Sequence, residues 1–261
     1  MSPPITLLTD FGYKDHYLGV MKGVILTINP SAMIVDISHS VSPHNILEGA
    51  LILSNAFRYF PEGTIHVAVV DPGVGTERKA IVVSGDGYLF VGPDNGVFGL
   101  LYGQFQHFSV FELTNPSFFR STVSATFQGR DVFAPVAAYL SNGVLPAEMG
   151  RETPKYRSLS IPVPIVRKET VTGLIILSDG FGNLLTNIDR YHLQKLGDGK
   201  KLRIAVGKNV IAGISPNYQT VGRGELLAVI GSSDLLEISI REGNARETLG
   251  LKQGDQVVVC R

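Results

Sequence analysis

Four polar clusters interrupt otherwise apolar stretches of this chain: TDFGYKD at 9–15, DPGVGTERK at 71–79, GPDNGVFG at 92–99 and TFQGRDVFAP at 126–135. An ionised carboxylate such as Asp10 or Asp71 offers two acceptor oxygens and so can hold ligand hydroxyls or a water molecule. The same residue type also caps helices and forms turns. Glycine lets backbone approach a ligand closely, so Gly73, Gly75, Gly92, Gly96 and Gly129 point to a tight small-molecule site, although 29 glycines also supply many ordinary turns.

Several common chemistries lose their support at once. There is no GxxxxGK[ST] loop and no GxGxxG between a strand and a helix, which removes the usual phosphate and dinucleotide cradles. No GxSxG is present, and the single cysteine, Cys260, is the penultimate residue, so covalent nucleophilic catalysis is disfavoured. His39 and His44 lie close together in SHSVSPHN, but no third ligand stands at a metal-binding spacing, and His16, His66, His107 and His192 are scattered. The reading is therefore of a site without metal or organic cofactor.

The elements that must carry these clusters follow from the apolar pattern. Strands are expected at 5–9, 33–37 and 65–70, separated by helices at 15–28 and 44–59, a βαβ rhythm that implies a mainly parallel sheet. The first strand, ITLL, is apolar enough to be covered on both faces, and it ends at Asp10. Ligands in such folds sit beyond the carboxyl ends of the strands. Residues 151–169 carry three prolines and no sustained period, and read as a linker. Beyond it, short strands at 171–177, 202–206, 210–214, 226–230, 235–240 and 256–260, with one short helix near 191–196, suggest a small β-barrel or sandwich. The expected division is an α/β amino-terminal domain over 1–160 and a smaller β-barrel domain over 161–261.

Composition limits the partners. The 261 residues are 44% hydrophobic and 18% charged, and no apolar run approaches the length of a membrane span. The 23 basic residues balance the 23 acidic ones without a basic cluster, so nucleic acid is not an expected partner. One cysteine and an amino terminus without basic and apolar blocks lead to the expectation of a reducing, cytoplasmic setting.

Taken in series, TDFGYKDHYLGVMKGVI, VVDPGVGTERKAIVV, VGPDNGVFG, TFQGRDVFAPVAAYL and SDGFGNLLTNI closely resemble the S-adenosyl-L-methionine (SAM) hydrolases, also called SAM hydroxide adenosyltransferases, over nearly the whole chain. Fluorinase and chlorinase are related members of the same superfamily. The resemblance implies an α/β domain followed by a β-barrel domain, assembled as a homotrimer with each site between the first domain of one subunit and the second domain of the next. It also implies the reaction, in which water or hydroxide displaces methionine from C5′ of the ribose to give adenosine and L-methionine. Asp10 would hold the ribose hydroxyls, Asp179 the methionine ammonium and Asn183 the adenine, with Phe181 in the same DGFGN motif. The stretch GSSDLLEISI resembles a further binding segment and would bring Ser232 and Glu237 near the nucleoside.

One position departs from the family. Its hydrolases carry an Asp, Arg, His set proposed to position and activate water; Asp71 and Arg78 match the first two, and Gln128 stands where TFHGRD has histidine. A carboxamide offers an acceptor and a donor but no basicity near neutral pH. Hydrolysis of SAM is the leading reading. The alternatives are a catalytically weak SAM- or adenosine-binding protein that lacks the histidine and, behind it, a SAM-dependent halogenase.

Overall fold

Alternation within the strands of the first half sends successive side chains into two different cores. The computed structural model describes residues 2–261, so Met1, one of the residues read for a leader, lies outside the described residues. The chain divides into two compact units, one ending at Ser160 and the other running Ile161–Arg261.

In the first unit, β1 (Ile5–Thr9), α1 (Tyr17–Ile28), β2 (Ile34–Ser38), α2 (Ile46–Ala56) and β3 (Ile65–Val69) follow in βαβ order. All five residues of β1 and of β3 are buried, as their apolar sequence requires. Leu7, Val67 and Val69 join α1 in one core, while Leu8 and Ala68 join Leu53 and Phe57 in the other. The second helix starts where the Asn45 side chain accepts the Glu48 N–H, ends earlier than its apolar pattern suggested, and continues only as a single 3-10 turn, Phe57–Tyr59.

The sheet is mixed rather than parallel throughout. Next come β4 (Ala80–Gly85), β5 (Tyr88–Pro93), β6 (Phe108–Leu113), α3 (Ala134–Ser141), α4 (Pro146–Met149) and β7 (Gly150–Glu152), giving a seven-stranded order β2-β1-β3-β5-β4-β6-β7. Pairings among β2, β1, β3 and β5 are parallel, whereas β4 runs antiparallel to β5 and β6, and β6 to β7. The cause is a two-residue hairpin loop, Asp86-Gly87, both residues at positive φ (46° and 83°), the backbone that matches the twist of an antiparallel pair.

Residues 151–169 are not a free linker. Glu152 pairs with Phe111, the Tyr156 ring lies 4.6 Å from that of Tyr102, and the Arg157 N–H donates to Asp94 at 2.7 Å. Backbone pairing and single aromatic contacts leave no periodic signature, which is why the segment looks structureless in sequence. It ends in β8 (Ile165–Val166), which pairs with the long strand that follows.

The second unit comprises β8, β9 (Thr170–Ser178), β10 (Leu184–Asp189), α5 (Arg190–Gln194), β11 (Arg203–Val206), β12 (Asn209–Ala212), β13 (Leu226–Ile230), β14 (Leu235–Ile240), α6 (Ala245–Leu249) and β15 (Gln256–Cys260). Its strands pair antiparallel in the order β12-β11-β15-β9-β10-β14-β13. A bridge between Ser215 and Val229 brings the two ends of that path together, so the sheet nearly closes as a barrel. Val171, Ile175, Leu184, Ile204, Ile238 and Val257 fill its interior. Among the described residues, no helix is long and apolar enough to cross a membrane.

Candidate active site

Adjacent parallel strands β1 and β3 end next to each other, so Asp10, the residue after β1, and Asp71, two residues after β3, emerge at the same edge of the sheet. They line one cleft of about 270 Å3 together with Phe11, Tyr17, His44, Thr126, Phe127, Gln128 and Gly129. Asp10 is anchored by a backbone contact: its Oδ2 accepts the His44 N–H at 2.9 Å. His44 takes a φ of 67°, in the left-handed region that a non-glycine residue rarely adopts, and this turns its N–H toward the carboxylate.

Asp71 is held from behind. The Arg78 Nε donates to both carboxylate oxygens, at 3.1 and 2.9 Å, and Nη2 donates to Oδ2 as well. The side chains of Arg78 and Asp71 are only 5% and 4% exposed, which shields their attraction from bulk water. The guanidinium also lies over the Phe133 ring, 5.4 Å from its centroid. Asp71 lines the cleft while Arg78 does not, so the guanidinium orients the carboxylate from outside it.

Gln128 precedes a π-helical turn, Gly129–Phe133, that leads into α3. This is a single-turn irregularity of the kind often found at functional sites. The turn is braced by its own charged residues: fully buried Asp131 accepts Arg130 Nε at 2.7 Å, Arg130 Nη2 at 2.9 Å and the Ser124 N–H at 2.8 Å. Burial alone would raise the Asp131 carboxyl, but the bonds from Arg130 and Ser124 outweigh it and hold the group below the usual carboxylate range. The Gln128 carboxamide lines the cleft and makes no side-chain hydrogen bond to another described residue. Phe127 meets Phe11 and Tyr17 edge-on, at 6.0 and 5.1 Å, and the three rings form the apolar wall.

The glycines expected in this site have mostly other duties. Of the five, Gly129 alone lines the cleft. A Cβ at Gly92 would strike the Ala68 carbonyl oxygen between β5 and β3, and one at Gly75, whose φ is +78°, would strike that of Ala125. Gly73 packs on the Arg78 side chain and Gly96 on Leu159. The GPDNG cluster is likewise a brace: the Asn95 side chain donates to the Val70 carbonyl at 2.8 Å, just before Asp71.

In the second unit, Asp179, Phe181, Asn183, Ser232 and Glu237 all line a single cleft of about 920 Å3. Asp179 turns the chain from β9 into β10, accepting the N–H groups of Phe181 and Asn183 at 2.9 Å each and the Asn183 amide at 2.8 Å. Gly182, at φ +85°, passes so close to the Asn244 side chain that no Cβ would fit. The Phe181 ring projects outward, 81% exposed, beside this rigid corner. Glu237 is buried, with its Oε2 accepting the Tyr218 hydroxyl at 2.9 Å. Desolvation, with Asp179 adding to it, pushes the Glu237 carboxyl up, and burial with the Glu237 bond pushes Tyr218 up to about 12.

Comparison with known proteins assigns the architecture. The SAM hydroxide adenosyltransferase N-terminal domain matches residues 5–150, and the corresponding C-terminal domain matches 173–258. The chain belongs to this family. It is 36% identical to the (R)-S-adenosyl-L-methionine hydrolase of Thermus thermophilus, with 96% of this chain and 97% of that protein covered. It is 25% identical to the fluorinase of an Actinoplanes species, covering 100% and 98% of the two chains. The crystal structure of an uncharacterized conserved protein from Thermotoga maritima superposes with a TM-score of 0.92 at 40% identity, covering 98% of this chain and 100% of that one.

Some lining residues of both family domains escaped the sequence reading. His44 was visible only as a helix start or a metal candidate, and its part in the cleft comes from the loop after β2 folding back to Asp10. Tyr218 sits in an aperiodic loop, SPNYQT, and only the fold brings it to Glu237.

Proposed function

We propose that this chain hydrolyses S-adenosyl-L-methionine to adenosine and L-methionine, with Asp71, Arg78 and Gln128 handling the water and Asp10, Asp179, Phe181, Asn183, Ser232 and Glu237 binding the substrate. The observation that carries the reading is the meeting of Asp10, Asp71 and Gln128, from three distant segments, in one cleft at the carboxyl edge of the sheet. In the reaction an O–C5′ bond forms as the C5′–S bond breaks; the sulfonium leaves as a neutral thioether and the incoming water passes its proton to the Asp71 carboxylate. The leaving group thus needs no acid, and the site's work is alignment and delivery of the nucleophile. Asp71, its carboxylate oriented by Arg78, accepts one hydrogen of the water, and the Gln128 carboxamide takes another position around it. Asp10 accepts from the ribose hydroxyls. The second cleft supplies the methionine and adenine contacts, through Asp179 and Asn183, in an assembly we take to be a cytoplasmic homotrimer with sites shared between subunits.

The test is product analysis in 18O-labelled water. Adenosine and methionine are expected in equal amounts with label in the adenosine 5′ hydroxyl. Unlabelled adenosine would show that a different bond breaks, and chloride-dependent product would favour the halogenase.

A further inference from the structure

Behind Asp10 lies a buried polar chain that no assigned role uses. His39, 1% exposed, follows β2, and its Nδ1 lies 2.9 Å from the Thr9 hydroxyl, while Nε2 lies 3.1 Å from Asp36 Oδ1. Asp36 in turn binds Lys22 of α1 at 2.7 Å. The Thr9 hydroxyl accepts the Phe11 N–H at 3.2 Å, and the His39 carbonyl accepts the Gly12 N–H at 2.8 Å. Both ends of the turn that carries Asp10 are therefore tied to one residue, and that residue also begins the loop returning at His44 to bind the Asp10 carboxylate.

We propose that His39 is a positioning residue: its neutral imidazole locks the turn at 9–12 and thereby fixes the Asp10 carboxylate in ribose-binding geometry. This rests on the ribose role given to Asp10 above. The protonation pattern follows from the partners. Nε2 faces the Asp36 carboxylate at 3.1 Å without hydrogen-bond alignment, and a bare ring nitrogen there would be repelled by it, so the ring proton belongs on Nε2, leaving Nδ1 to accept from Thr9 while the Thr9 oxygen accepts from Phe11. A second proton would turn Nδ1 into a donor and reverse the Thr9 hydroxyl. Burial keeps His39 below its ordinary value, although Asp36 pulls the other way. The charged groups facing the ring are Asp36 on β2 and Lys22 on α1, and Tyr13 packs its own ring edge-on at 5.3 Å.

The test measures adenosine affinity and SAM hydrolysis for the wild-type protein, Thr9→Val, Thr9→Ser and Asp36→Asn between pH 5 and 8. Thr9→Val should weaken adenosine about 3- to 10-fold, the worth of one neutral hydrogen bond, and raise KM more than it lowers kcat. Thr9→Ser, which keeps the hydroxyl, should stay within about twofold of wild type on the same scale. Wild-type affinity should fall on the acid side, and Asp36→Asn should carry that fall to lower pH, because removing the carboxylate makes the imidazole harder to protonate; a merely structural role would not move this limb. Wild-type-like affinity and pH dependence in Thr9→Val and Asp36→Asn would overturn the inference alone. Failure of the wild-type protein to bind adenosine would overturn the ribose assignment and the inference with it.

Discussion

In the proposed mechanism the chemistry turns on Gln128, which stands where the resemblance expects histidine and lines the cleft with no side-chain hydrogen bond to another described residue. Gln128→His should raise the single-turnover rate of SAM hydrolysis while leaving SAM affinity nearly constant, if the imidazole works on water only in the transition state. The gain has an upper range of about 10²- to 10⁴-fold, the reach of a general base. Gln128→Ala should be slower than the present protein; equal rates for all three would remove position 128 from the mechanism and leave Asp71 and Arg78. The motif made these residues findable, since a carboxylate at a strand end is already a candidate. What it hid is the division of labour: in TFQGRD, Arg130 and Asp131 spend themselves on each other and on Ser124, and the cleft is lined by Thr126, Phe127, Gln128 and Gly129.

At the scale of elements, the apolar runs located β1, β3, α1 and most barrel strands, because burial on one or both faces writes itself into sequence at a fixed period. The hairpin at Asp86-Gly87 and the packed 151–169 segment were not read, since each depends on a few backbone bonds rather than a pattern. Within β3, His66 has no site role: it is fully buried, its Nδ1 meets the Thr6 hydroxyl at 2.7 Å, and its ring stacks on Phe90 at 5.1 Å. Desolvation pushes it down from 6.5 to about 3. The unfolded chain therefore takes up a proton near pH 6.5 that the folded chain takes up only near 3, so this contribution is complete above 6.5 and declines as pH falls toward 3. Denaturant unfolding between pH 4.5 and 6 should show stability dropping with acid, and His66→Leu should reduce the slope by at most about 1.4 kcal/mol per pH unit. His39, also held low by burial, adds to the same slope, so a residual dependence should survive in the variant. An unchanged slope would mean that His66 is not held neutral.

At the scale of the whole molecule, the candidate residues fall in two clefts, one in each unit and unequal in size, about 270 and 920 Å3. The first, which holds Asp10 and Asp71, is at the small end of the range for ligand pockets, whereas the second offers room but no residue of the Asp, Arg, Gln set. On the family resemblance, the proposed trimer would bring the first unit of one subunit to the second unit of the next, each supplying part of one site. Mixed assemblies test it. Asp10→Ala and Asn183→Ala chains should each be nearly inactive by themselves, yet co-refolded in equal amounts they should recover about a quarter of the wild-type sites, because a heterologous interface pairs an intact first unit with an intact second unit in one of four arrangements. The recovered activity should scale with the product of the two chain fractions and vanish if either variant is in large excess. If each site were built within one chain, every chain in the mixture would still carry its own lesion, and no ratio of the two variants would restore activity.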